Sequence, residues 1–243
     1  MPHFYYIPKQ NVEHEKLLFG EEESHHIYKV MRKTKGETIW ATDGEGNLYY
    51  AIIERIIKSR VEARILKSQK FQREYEVNLF TAIPKAKRID YLVEKCTELG
   101  VARIYPIVTE RSVKESCRVD RLRRIAISAI KQAELVFLPE IYEPEYLDDV
   151  LEELPPSDVI LIAQKDAELT LHDLLYNIKK INIFIGPEGG FTENELARFK
   201  KLDAKFVSLC KNTLRVETAC VVGLTIIAHE KSREQLPLIA ETS

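Results

Sequence analysis

Val77-Asn78-Leu79-Phe80-Thr81-Ala82-Ile83 is an apolar run of strand length, and the residues that follow change period at once. Ile89, Leu92, Val93, Cys96 and Leu99 recur at helical spacing until Gly100 offers a C-cap, and Arg103 to Val108 then reads as a second buried strand. Uniformly apolar strands joined by an amphipathic helix are the pattern of a mostly parallel sheet covered on both faces. Downstream, Leu122, Ile125, Ala126, Ala129 and Ile130 mark another amphipathic helix, and Val159 to Ala163, Asn182 to Gly186 and Lys205 to Leu209 are further buried strands. Pro139, Pro144, Pro155 and Pro156 punctuate the acidic stretch between them. The class from Val77 onward is α/β.

Upstream the pattern is different. Phe4 to Ile7, Thr38 to Thr42, Leu48 to Ile57 and Val61 to Leu66 are short, aromatic and β-branched, with a helical candidate at Ser24 to Lys33. Asp43-Gly44-Glu45-Gly46-Asn47 lacks the remaining ligands of a calcium loop and the glycines of a phosphate loop, so it reads as a hairpin turn. The acids Glu21 to Glu23 suit a helix N-terminus. His25 and His26 cannot face one metal from adjacent helical positions, and no metal site is expected. The linker-like segment Gln72 to Glu76 divides the two patterns, giving a β-rich domain at 1–73 and an α/β domain at 74–243.

The 243 residues are 45% hydrophobic and 30% charged with 9 Gly and 10 Pro, which describes an ordered globular chain. Ala219 to Ala228, the longest nearly uncharged stretch, is about half of the roughly 20 residues needed to span a bilayer. No membrane anchor is expected, and MPHFYYIPKQ lacks the features of a secretory signal, which points to the cytoplasm. Cys96, Cys117, Cys210 and Cys220 show no metal-type spacing and read as small core residues. The net charge of −2 hides a polarised chain. Arg55 to Arg73 carries seven Lys/Arg against one acid and Lys85 to Lys131 twelve against six, whereas Gln132 to the end carries eleven against twenty. Local basic excess fits a polyanion footprint or a solvated surface.

Ligands of open parallel sheets bind at the carboxyl ends of strands, so the segments after Ala163, Ile185 and Leu209 carry the chemistry if any do. In Ile185-Gly186-Pro187-Glu188-Gly189-Gly190-Phe191-Thr192-Glu193-Asn194-Glu195-Leu196, Thr192 and Glu195 fit a capping box, with Phe191 and Leu196 as its staple. Gly-Pro-Glu-Gly-Gly is left over. Glycine admits a ligand to the backbone, but Glu188 repels phosphates and no Walker lysine or G-x-G-x-x-G exists, which disfavours ATP and NAD. A cationic or neutral adenosine-type ligand suits the loop; so does a plain turn. Leu209-Cys210-Lys211-Asn212-Thr213-Leu214-Arg215-Val216-Glu217-Thr218-Ala219 enters a helix apolar on all sides, expected to be buried on all sides, with a subunit interface as one way to achieve this. Arg215 and Glu217 read equally as a salt bridge with a first-turn acid or as catalytic groups.

These two segments together resemble the signature of the RsmE family, the 16S ribosomal RNA uracil-N3 methyltransferases of the SPOUT superfamily. Gly186 to Gly190 and Leu209 to Ala219 match its two motifs. Pro84-Lys85-Ala86-Lys87-Arg88, Glu94 to Val101 and Thr109 to Val113 are similar to its basic strand-helix-strand opening, and His26 to Arg32 with Gly36 to its PUA-like domain. The resemblance covers nearly the whole chain. It implies a small PUA-like β-barrel followed by a SPOUT parallel-sheet domain with a C-terminal trefoil knot, S-adenosylmethionine as cofactor, and a homodimer. Cys210 departs from a usual glycine, Asn212 from a common basic residue, and Gln132 to Leu135 lacks an arginine often found there.

On that resemblance Gly186, Pro187, Glu188, Gly189, Leu209, Leu214 and Thr218 hold the methyl donor. Arg215 stabilises charge on the uracil oxygens, and Glu217 orients the base or accepts its N3 proton. Arg32, Lys33, Lys35, Lys85, Lys87, Arg88 and Arg111 are the candidate RNA phosphate contacts. The partner is 16S rRNA in the small ribosomal subunit or an assembly intermediate, at an unpaired or flipped decoding-region uridine. Two alternatives stay open: a SPOUT enzyme acting on transfer RNA, and a non-catalytic RNA-binding assembly factor.

Overall fold

A computed structural model describes residues 3–57, 59–85, 87–113 and 116–235, so Ala86 of the basic motif lies outside the described residues. The chain forms two compact units, Met1–Arg73 with Ala126–Leu138, and Glu74–Ile125 with Pro139–Ser243. The sequence reading makes one continuous cut, whereas Ala126–Leu138 groups with the first unit. Its backbone explains why: Gly46 N donates to the Val136 carbonyl and Leu138 N to that of Gly44, both at 2.8 Å.

In the first unit β1 (Phe4–Tyr6), β2 (Val12–Glu13), β3 (Lys16–Leu18), β4 (Thr38–Thr42), β5 (Asn47–Ile57) and β6 (Arg60–Lys70) form one sheet in the order β1-β4-β5-β6-β3-β2. The β1–β4 pair is parallel and the rest antiparallel. Two register shifts bulge the β5–β6 pair, one with Leu66 extra on β6 and one with Glu54 extra on β5, which bends the strands and increases their twist. Tyr5, Ile7, Leu17, Phe19, Ile27 and Ile53 fill the core. α1 (Glu21–His25) opens on the three acids, as their helix-dipole preference suggests. The helix expected at Ser24 to Lys33 starts earlier, changes type and stops short of Lys33. A π-helical turn (His26–Val30) follows, with Met31 N donating to the His26 carbonyl at 2.9 Å, and Arg32 at φ 53° ends it.

The second unit carries β7 (Glu76–Ala82), α2 (Lys87–Glu98), β8 (Arg103–Val108), the start of α3 (Val119–Gln132), β9 (Glu140–Ile141), β10 (Glu145–Tyr146) and α4 (Leu147–Glu152). It continues with β11 (Val159–Ala163), β12 (Leu169–Thr170), β13 (Lys180–Ile185), α5 (Glu193–Lys201), β14 (Lys205–Ser208) and α6 (Val216–Gln235). Its sheet runs β10-β8-β7-β13-β11-β14-β12, with β9 also on β8, and every pairing is parallel. The five long strands fall within two residues of the apolar runs that announce them. The two-residue strands are too short to leave a pattern. Stacked rings of Tyr105, Phe80 and Phe184, 4.3–4.4 Å between centroids, cross the sheet. Buried Asn78 donates to Asn182 at 2.8 Å and fixes the β7–β13 register.

α6 corrects an expectation. Val216, Cys220, Leu224 and Ile227 are buried as the helix packs on α2, β7 and β13, but Thr218, Thr225 and His229 are exposed and Val221 and Val222 half-exposed. The stretch from Ala219 to Ala228 is apolar on all sides, yet among the described residues protein covers one side of it. The cysteines also divide: Cys96 and Cys220 are buried, whereas Cys117 and Cys210 are partly exposed, and among the described residues none of the four is in a disulfide.

Candidate active site

Three adjacent strands, β13, β11 and β14, end together, and the loops leaving them at residues 163–166, 185–191 and 209–216 line a cavity of about 410 Å³. Small-molecule sites span roughly 300–1,000 Å³. Phe191, Leu196, Leu209, Leu214 and Val216 make its walls apolar, while Asp166, Glu188 and Glu193 supply the acids among its lining residues.

The 186–191 loop is held from several sides. Glu195, 2% exposed, accepts from Thr192 N at 2.7 Å and Thr192 Oγ1 accepts from Glu195 N at 3.3 Å, which completes the capping box of α5. The other Glu195 oxygen accepts from Glu110 N at 2.9 Å. Arg111 Nη1 donates to the carbonyls of Gly189 at 2.7 Å and Phe191 at 3.4 Å. A Cβ on Gly186 would lie 3.0 Å from the Phe191 ring, and one on Gly189 3.3 Å from Arg111 Cδ. Both glycines are therefore sites of close approach within the loop.

A second cluster stands at the first turn of α6. Glu217 is 7% exposed, its Oε1 lies 3.5 Å from Arg88 Nε, and its Oε2 has no hydrogen-bond partner among the described residues. Arg88 projects from the N-terminal turn of α2 and is 38% exposed along its side chain. One turn along α6, Cys220 Sγ contacts Thr81 Oγ1 at 3.3 Å. Burial pushes the Cys220 thiol up to about 12, opposed by the Thr81 contact and reinforced by the Glu217 charge, and burial likewise raises Cys96. Neither thiol is a nucleophile at neutral pH.

Residues 71–228 match the family model described as an RNA methyltransferase domain, and residues 19–66 match an RNA methyltransferase PUA domain. The ribosomal RNA small subunit methyltransferase E of Aquifex aeolicus is 30% identical over 220 residues, covering 88% of this chain and 94% of that protein. The chain belongs to the RsmE family of RNA methyltransferases. Among solved structures, an RsmE from Neisseria gonorrhoeae bound to S-adenosyl methionine superposes with a TM-score of 0.85 at 27% identity, covering 94% of this chain and 98% of that one. A probable rRNA methyltransferase from Porphyromonas gingivalis gives 0.87 at 28% identity, covering 96% and 100%.

In this RsmE chain Gly186, Pro187, Glu188, Gly189, Leu209 and Leu214 all line the cavity. Thr218 is not among its lining residues and is exposed on α6. Arg215 is exposed at the mouth of α6, and the ion pair of Glu217 is with Arg88, not with Arg215. Two candidate phosphate contacts are thus engaged within the protein, Arg88 by Glu217 and Arg111 by the loop carbonyls. A third, Lys33, donates to Glu37 at 2.9 Å; that contact and two bonds from Thr34 pull the Glu37 carboxyl well below the usual range, to about 2. Arg32, Lys35, Lys85 and Lys87 are exposed. Cys210 and Asn212, two departures within the second motif, also line the cavity, as do Gln164, Lys165 and Asp166, which carry no motif of their own. Their position just past a buried strand was the available signal. Among the described residues no group of three or more His, Cys, Asp or Glu is arranged to hold a metal, and no helix is long and apolar enough to cross a membrane.

Proposed function

We propose that this chain methylates N3 of a decoding-region uracil in 16S rRNA, with S-adenosylmethionine bound in the cavity at the ends of β11, β13 and β14. The cavity carries this reading. Its apolar walls and loop backbone suit an adenosine, and Asp166, Glu188 and Glu193 suit a sulfonium cation. When bound, S-adenosylmethionine supplies an electrophilic methyl group and leaves as the neutral thioether. The protein must orient the base and manage one proton, and orientation alone supplies much of such an acceleration.

The chain's own groups divide that work. Exposed Arg215 stabilises negative charge on the uracil oxygens as N3 loses its proton. Glu217 Oε2, a buried carboxylate oxygen without a partner, accepts that proton, since an unpaired buried acceptor is costly until a donor reaches it. Arg88 holds the other oxygen and fixes the carboxylate. Lys35, Lys85 and Lys87, with Arg32, contact RNA phosphates. Residues 1–73 act as the RNA-binding domain and 74–243 as the methyltransferase domain. The return of the chain from β14 past β11 to α6 over β13 is consistent with a trefoil knot, and the uncovered side of α6 at Val221, Val222 and Thr225 is consistent with a homodimer. A ribosomal substrate places the reaction in the cytoplasm.

The test is transfer of labelled methyl from S-adenosylmethionine to small ribosomal subunits lacking base methylation, with reverse-transcription stops locating the product. A single stop at a decoding-region uridine, absent with Arg215→Ala, is expected. Transfer to transfer RNA instead would shift the substrate, and no transfer to any RNA would favour an assembly factor.

A further inference from the structure

The turn after β8 is built against the methyl-donor loop, and this suggests how the two substrates communicate. Ser112 Oγ accepts from Thr109 N at 2.9 Å and Ser112 N donates to the Thr109 carbonyl at 3.0 Å, which closes residues 109–112 into a turn. Two contacts then join that turn to the loop. Buried Glu195 takes Glu110 N, and Arg111 Nη1 takes the carbonyls of Gly189 and Phe191. The aliphatic stem of Arg111 lies where a side chain on Gly189 would project, with Cδ 3.3 Å from that Cβ position. Arg111 is nevertheless exposed, and among the described residues its side-chain hydrogen bonds are made through Nη1 alone. A guanidinium carries five N–H donors in a planar fork, so one edge can hold a carbonyl while the other takes a phosphate oxygen.

We propose that Arg111 couples RNA binding to donor binding. One edge of its guanidinium clamps the Gly189 and Phe191 carbonyls, and the free Nε and Nη2 edge takes a phosphate of the substrate RNA. RNA binding then fixes the side chain that fixes the loop, and by linkage the donor tightens RNA by the same factor. Arg111 is on this account a positioning residue. The proposal rests on the donor cavity assigned above. A lysine in its place keeps the charge but loses the fork.

The experiment measures the affinity of S-adenosylhomocysteine, which binds without turnover, alone and with saturating unmethylated small ribosomal subunits, for wild type, Arg111→Lys and Arg111→Ala. For wild type, subunits tighten the ligand about 5–50-fold, within the range of ordinary coupling. Arg111→Lys retains RNA affinity within about threefold and loses the coupling, and Arg111→Ala loses coupling and weakens the ligand about tenfold without RNA. Both variants keep the Tm of wild type within a few degrees, because surface changes cost little. Wild-type coupling surviving in Arg111→Ala, or no coupling in wild type, overturns the proposal. Failure of wild type to bind the ligand at all would instead overturn the assignment of the cavity.

Discussion

Two buried carboxylates show how differently an acid can be used in one chain. Asp43, in the turn between β4 and β5, is 3% exposed and fully engaged. Its Oδ1 accepts from Glu45 N at 2.8 Å and Asn47 N at 3.2 Å, and its Oδ2 accepts from Tyr49 OH at 3.2 Å and from the Asn47 side chain. Burial and the Asp43 charge push the Tyr49 phenol up to about 12, so it stays a donor at neutral pH. Glu217 is almost as buried, yet one oxygen leans on Arg88 and the other has no partner. Gly46 of the Asp43 turn and Gly186 and Gly189 of the 186–191 loop are all sites of close approach, but they border different things. A Cβ on Gly46 would meet Phe137 at 2.7 Å and the Phe71 carbonyl at 2.8 Å, whereas Gly186 and Gly189 line a cavity. An acid whose oxygens are all engaged builds structure; one with an open oxygen is available for chemistry.

Substitutions separate these two uses. Glu217→Gln should lower kcat by about 10²–10⁴-fold, the range for loss of a general base, while Tm moves little. Turnover within threefold of wild type would remove Glu217 as proton acceptor. Gly46→Ala should cost about 2–4 kcal/mol in denaturant unfolding, from crowding and from its φ of 93°, and leave donor affinity unchanged. Asp43→Ala should cost about 1–3 kcal/mol by orphaning its donors, with donor affinity again unchanged. Thr192→Ala should cost about 1 kcal/mol through loss of the α5 cap. Lys33→Ala should change stability by less than about 0.5 kcal/mol, because its pair with Glu37 is partly exposed. If Lys33→Ala instead weakened RNA binding and flattened its salt slope, Lys33 would return to the phosphate footprint.

The legible parts were those set by local pattern. Apolar runs placed β7, β8, β11, β13 and β14, and the Thr192–Glu195 spacing gave the α5 cap because both depend on residues near in sequence. The three loops at the strand ends followed from a parallel sheet. The pairing of Arg88 with Glu217 joins α2 to α6 across 129 positions, and a string of residues holds no record of it. Arg111 resembles any exposed basic residue until Gly189 is seen beneath it. The π-helical turn at His26–Val30 and the exposed side of α6 depend on what lies beside each helix.

The most direct measurement is a crystal structure of this chain with S-adenosylmethionine. The adenosyl group should lie among residues 163–166, 185–191 and 209–216, with Arg111 still on the Gly189 carbonyl. Ligand density outside that cavity, or a cavity left empty at saturating ligand, would contradict the assignment.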